Sequence, residues 1–178
     1  MNRDPRVIDL MAHVRDIPDF PKPGILFKDV MPLLGNAAAF RQTTGLLAEH
    51  VSKYRPEAIV GIESRGFIFG AALADRLGLG FLTVRKPGKL PYKTKRVEYA
   101  LEYGTDALEM HSDAISQGKS VFIVDDLLAT GGTASATARL VEDQGGIVCG
   151  FAFVIELDFL SGRSRLGTNR VVESLIHY

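Results

Sequence analysis

Short, unbroken apolar runs alternate along this chain with segments whose apolar positions recur at helical spacing. Val7, Leu10, Met11 and Val14 fall at i, i+3, i+4 and i+7 behind Asp4-Pro5, which reads as N-cap and first helical residue of an opening helix. Phe40, Thr44, Leu47, Val51 and Tyr54 mark the inner face of a second helix, capped by Asn36 and stopped by Arg55-Pro56. Ala58 to Ile62 predicts a short buried strand, Phe67 to Leu77 a small-residue helix closed by Gly78, and Phe81 to Val84 the next strand. Val121 to Val124 and Ile147 to Ile155 are continuous, β-rich and apolar, as strands covered on both faces of a parallel sheet are. Between them Ala134, Ala138 and Val141 at i, i+4 and i+7 predict a helix, with Thr133 as N-cap and Gly145-Gly146 as its stop. Val97 to Tyr103 and Ala107 to His111 alternate loosely and are expected to pair as a hairpin, and Val171 to Ile176 closes the sheet as an edge strand. Strands alternating with helices define an α/β fold: a parallel sheet with mixed edges, flanked by helices.

The polar punctuation between these elements carries the chemistry, because parallel sheets bind ligands at the carboxyl ends of their strands. Asp125 and Asp126 end one apolar run and are expected at an open strand end, facing ligand or cation, since paired carboxylates desolvate badly in a dry interior. Ala129, Thr130, Gly131, Gly132 and Thr133 follow, small enough for their N–H groups to curl around an anion at the helix start. Glu63-Ser64-Arg65-Gly66 is a second polar turn between strand and helix, and Arg65 offers a donor fork suited to phosphate. A third strand opens into Arg85-Lys86-Pro87-Gly88-Lys89, and six basic residues with no acid lie between Arg85 and Arg96. Such a loop is commonly just solvated; after a strand of this sheet it reads better as a mobile lid for a polyanion. Upstream, three prolines in Ile17 to Gly24 forbid helix and predict an extended arm that Ile25 to Val30 continues.

Composition narrows the class without choosing within it. The 178 residues make one domain's worth of chain, 46% hydrophobic and 24% charged, as ordinary globular proteins are. Lys+Arg and Asp+Glu balance at 21 each, which argues against nucleic acid or an acidic membrane as partner. The single cysteine, Cys149, lies in an apolar run and is expected to pack as a small hydrophobe, which fits a reducing, cytoplasmic compartment. No apolar stretch approaches the roughly 20 residues of a membrane span, and Met1 to Asp16 is too charged for a signal peptide. His13, His50, His111 and His177 show no metal-ligand spacing, so no protein metal site is expected. Gly118-Lys119-Ser120 precedes a strand instead of following one, and Gly78-Leu79-Gly80 has Thr83 where a dinucleotide loop needs glycine; neither is a nucleotide loop.

Val-Asp-Asp-Leu-Leu-Ala-Thr-Gly-Gly-Thr, Val124 to Thr133, resembles the phosphoribosyl-pyrophosphate (PRPP) motif of the type I phosphoribosyltransferases, in the wording of their adenine-using branch. The resemblance runs from Ile17-Pro18-Asp19-Phe20-Pro21 nearly to the end of the chain. It implies a single domain over 1–178 with an N-terminal hood at 1–35 and a mobile loop at 85–103. It also implies transfer of phosphoribose from PRPP to adenine, giving AMP and diphosphate, with Mg²⁺ bound together with PRPP. In that family Ala129 to Thr133 would hold the 5′-phosphate, and Asp125 and Asp126 the ribose. Ser64, Arg65, Arg85, Lys86 and Lys89 would hold the diphosphate, with a non-proline cis bond expected at Glu63–Ser64. Ile25, Phe27, Lys28 and Leu127 would meet adenine, Lys28 standing where arginine is more usual. Glu102, in Leu101-Glu102-Tyr103-Gly104, matches the family's catalytic carboxylate; read alone it is equally a solvent-facing strand residue. A homodimer is implied as well. Two alternatives stay open: a transferase for another base such as xanthine or hypoxanthine, and a non-catalytic nucleotide-sensing regulator on the same fold.

Overall fold

The computed structural model describes residues 5–100, 105–167 and 170–178. Its centre is a five-stranded, wholly parallel sheet in the order β4-β3-β7-β8-β9. These strands are β3 (Ala58–Ile62), β4 (Gly80–Val84), β7 (Ser120–Leu128), β8 (Ile147–Glu156) and β9 (Val171–His177). Antiparallel pairing lies at its margins, as expected: there are two antiparallel pairs among the described residues, one of them joined to the chain just past β4 by an antiparallel bridge between Arg85 and Glu109. β1 (Arg15–Pro18) pairs β2 (Leu26–Asp29), and β5 (Thr94–Ala100) pairs β6 (Thr105–His111).

Period-two alternation sends side chains to two cores, one on each face. Ala58, Val60 and Ile62 of β3 join Val121 and Ile123 of β7 under α5 (Gly132–Glu142) and the β5–β6 hairpin. Ile59, Phe122 and Val124 face the other way, onto α1 (Pro5–Met11), α3 (Ala37–Val51) and α4 (Arg65–Leu77). Each fully buried side chain of the size of Phe69 or Phe122 contributes roughly 1.5–3 kcal/mol by leaving water. Cys149 is partly buried and packs on the second core, as expected of a small hydrophobe.

Local chemistry sets the element ends. The Asn36 side chain accepts from the N–H groups of Ala38 and Ala39, both at 3.0 Å, and so starts α3. A one-turn helix not foreseen from spacing, α2 (Met31–Gly35), precedes it, with Pro32 at the tolerated first turn. Gly78, at φ 67°, closes α4. Two expectations need correction. α5 is capped by Gly131, at φ 77°, and Thr133 lies inside its first turn. The β5 strand begins at Thr94, so Lys95 and Arg96 belong to a hairpin and not to an irregular loop.

Candidate active site

Strand order decides where a site can form. From β3 the chain moves outward to β4, and from β7 it moves the opposite way to β8 and β9, so the crevice lies between β3 and β7. Arg65, the first residue of α4, leans across it. Its Nε donates to Asp126 Oδ2 at 2.5 Å, where the carboxylate is 7% exposed. The Asp126 N–H in turn donates to Asp125 Oδ1 at 2.9 Å. The acids therefore do not end the strand, as expected from their cost of burial: β7 runs on to Leu128 because each carboxylate is given a donor. Burial pushes the Asp125 carboxyl well above the usual carboxylate range, and the adjacent Asp126 adds to this.

Directly beyond, Asp125, Leu127 and residues 128–134 line a recess of ≈ 90 Å³. Its floor is backbone. Gly131 takes a left-handed conformation, and a Cβ there would stand 2.4 Å from the Gly162 carbonyl oxygen. Gly162 is equally constrained, since its own Cβ would stand 2.2 Å from the Ala129 carbonyl oxygen. The two glycines thus let a distant turn lie flush against the loop. The start of α5, whose first N–H groups lack intrahelical acceptors, borders this small recess.

On the other side of the crevice the construction is ionic. The Glu63–Ser64 peptide is cis, as expected. The Glu63 carboxylate, at the end of β3, gathers the basic residues that leave β4. It accepts from Arg85 Nη2 at 3.1 Å, Lys89 Nζ at 2.8 Å and the Lys86 N–H at 3.0 Å. Hydrogen bonds from Arg85, assisted by Lys89 and Lys86, hold the Glu63 carboxyl at a pKa of about 2. Lys86 Nζ turns the other way and pairs with Asp106 on β6. The Tyr99 hydroxyl also reaches Asp106, at 3.1 Å, and lies 3.4 Å from Thr133 Oγ1.

The arm at the N-terminus folds over this region. Phe27 lies with its ring centroid 5.8 Å from the Arg65 guanidinium and packs edge-on against Phe20 at 5.2 Å. Lys28 is otherwise engaged: its ammonium bonds Asp16 at 2.6 Å and stands over the Tyr178 ring at 3.8 Å. Ile25 is 41% exposed. The structure thus brings together Asp125 to Thr133, Ser64 and Arg65, and Phe27, while Arg85, Lys86 and Lys89 line the neighbouring strand end. Glu102 lies outside the described residues. Four polar partners were invisible to pattern reading: Glu63 as an acceptor for cations, Asp106, Tyr99, and the Gly162–Arg163 step. Only the glycine, standing alone in a polar turn, offered a signal.

Fold and site together define an α/β protein with a small-residue loop at a helix start on one side of a crevice and a basic strand end on the other. Residues 32–166 match the phosphoribosyl transferase domain, and the chain belongs to that family. It is similar to the adenine phosphoribosyltransferase of Sorangium cellulosum, 58% identical over 95% of this chain and 86% of that protein. Among solved structures it is similar to adenine phosphoribosyltransferase from Thermoanaerobacter pseudethanolicus, with a TM-score of 0.94 and 52% identity, covering 97% of this chain and 99% of that one. The Saccharomyces cerevisiae enzyme, solved with an imino-altritol bisphosphate and adenine, gives a TM-score of 0.91 at 42% identity over 96% of this chain and 98% of that one.

Proposed function

We propose that this chain is an adenine phosphoribosyltransferase of purine salvage, making AMP and diphosphate from adenine and PRPP. The observation that carries the reading is the meeting, across one crevice, of an anion-binding loop, an acid pair and a cationic strand end. PRPP has the matching parts in the matching order: a phosphomonoester, sugar hydroxyls and a diphosphate. Residues 129–133 hold the 5′-phosphate, and Asp125 and Asp126 accept from the ribose hydroxyls. Ser64, Arg65, Arg85, Lys86 and Lys89 receive the diphosphate. Holding both ends fixes the anomeric carbon against the base.

Bond breaking at that carbon leaves positive charge on the ribose and negative charge on the departing diphosphate. The cations of the β4 end stabilise the second, in a site already preorganised by Glu63. Phe27 covers the base, with Ile25, Lys28 and Leu127 around it; because the Lys28 ammonium is committed to Asp16, Lys28 contributes through its backbone. Glu102 handles the purine proton as the ring nitrogen attacks. Mg²⁺ fits this donor set as an ion carried in on the substrate. Asp126 is engaged by Arg65 and Asp125 by a backbone N–H, so the pair offers acceptors to metal-bound water in preference to a full ligand shell. When bound, the ion supplies charge neutralisation on the diphosphate.

Residues 1–178 act as one domain, with 1–35 as hood and 85–103 as the moving segment. Exposed Phe20, Leu26 and Met31 on the arm give a second copy apolar surface to cover, in a homodimer that sedimentation would detect. The compartment proposed is the cytoplasm; no helix among the described residues is long and apolar enough to cross a membrane. The deciding experiment incubates the protein with PRPP, Mg²⁺ and, separately, adenine, hypoxanthine, guanine and xanthine, and follows diphosphate release. Adenine alone should be turned over efficiently. Preference for an oxopurine would reassign the base, and PRPP binding without turnover would make the chain a sensor.

A further inference from the structure

A residue pair outside the crevice braces the turn that packs against residues 129–131. Glu156 is the last residue of β8, registered beside Leu128, and Leu128 is followed at once by Ala129. Its side chain is only 4% exposed, yet it is a carboxylate and must be answered. The answer comes from Arg163, whose Nε and Nη2 donate to the two Glu156 oxygens at 2.6 and 2.7 Å. The remaining nitrogen, Nη1, donates to the Val172 carbonyl on β9 at 2.8 Å. A planar fork held at three points has no freedom to rotate. The residue before it is Gly162, whose backbone touches Ala129 and Gly131. On the far side the turn is anchored by fully buried Leu166. The cap of α5 is itself a glycine, so no capping side chain fixes the loop at Gly131.

We propose that Glu156 and Arg163 are positioning residues for the 5′-phosphate, acting through the Gly162 backbone to hold residues 129–131 in their anion-binding shape. The proposal rests on the assignment of that loop to a phosphomonoester. It predicts a loss confined to ligands that carry the phosphate. Misplacement by about an ångström can cost about 10²-fold, so the smaller shift available to a braced loop should cost about tenfold.

The test compares Arg163→Met, Arg163→Lys and Gly162→Ala with the parent enzyme. Ribose 5-phosphate and AMP binding are measured by calorimetry, alongside kcat, the KM values for PRPP and adenine, and Tm. Arg163→Met and Gly162→Ala should weaken ribose 5-phosphate and AMP and raise KM for PRPP by about tenfold, with kcat and KM for adenine nearly unchanged. Arg163→Lys keeps the charge but not the fork, and should recover part of the loss. If Arg163→Met fails to fold, Gly162→Ala, which removes no charge, and Arg163→Lys decide. Unchanged ribose 5-phosphate affinity in folded variants overturns the proposal. So does a loss shared equally by adenine, which would make the pair merely structural. A parent enzyme that binds ribose 5-phosphate but forms no AMP would sink the proposed function and leave the positioning role standing.

Discussion

The two walls of the crevice are made of different material. The β7 wall, residues 129–133, is shaped by backbone against backbone, with two glycines admitting the contact and no side chain capping the helix behind it. The β4 wall is shaped by side chains, and its cations already have anionic partners: Arg85 and Lys89 on Glu63, and Lys86 on Asp106. A rigid backbone hollow suits a group that stays bound throughout a reaction. A paired ionic cluster suits a group that arrives, gains charge and leaves, because binding there exchanges one partner for another. The proposed phosphate and diphosphate fall on the walls that these properties favour.

The strongest test of that contrast removes the group proposed to act between the walls. Glu102→Gln should lower turnover by about 10²–10⁴, the usual span for an acid–base group, while AMP affinity changes far less. Equal losses in rate and binding would place Glu102 in ground-state contact only. Gly131→Ala attacks the backbone wall itself: the added Cβ would stand 2.4 Å from the Gly162 oxygen, at a φ of 77° that strains any side chain. AMP and PRPP affinity should fall by about 10²-fold, in line with displacement of a fixed binding loop, and wild-type affinities would show that the wall yields freely.

Lys86→Ala combined with Lys89→Ala addresses the ionic wall. Turnover should drop by about 10²-fold, since two charge-assisted bonds are lost and each is worth at least roughly 1.5 kcal/mol. The salt dependence of PRPP capture should also flatten, and an unchanged salt series would make these lysines bystanders. The smallest effect concerns Glu63, whose carboxyl is depressed to about 2. Its ionised form is favoured by folding, so its contribution to stability is complete above about pH 4.5 and lost as pH falls through about 2. The Tm gap between wild type and Glu63→Gln should therefore narrow on acidification from neutral pH. A constant gap would show that the ion pairs of this wall add nothing to stability.

The same contrast explains what could be read from the chain before folding. Ala58–Ile62 was legible to the residue, because a buried parallel strand needs an unbroken apolar run. The small-residue loop between β7 and α5 is legible too, since its requirement for small residues is local. Its cap was misread: Thr133 has the chemistry of a cap, but the tight approach of Gly162 demands positive φ at Gly131. A cation facing the acid pair is expected from its charge, but not its identity as Arg65, nor the two further residues by which β7 runs on to Leu128. Glu63, Asp106 and Arg163 escaped as well. Glu63 and Asp106 meet cations twenty or more residues away, Arg163 meets Glu156 seven residues away, and no spacing rule records any of these meetings.

The Arg65–Asp126 contact has one more consequence. The two side chains belong to different proposed subsites, and in the structure each satisfies the other. A ligand that engages only Arg65 strands the Asp126 carboxylate, and one that engages only Asp126 strands the guanidinium. A molecule presenting diphosphate and hydroxyls together can replace the bond on both sides at once. Under the proposed function, the contact then ties the two subsites together, so that a ligand carrying both diphosphate and hydroxyls gains more there than either fragment alone.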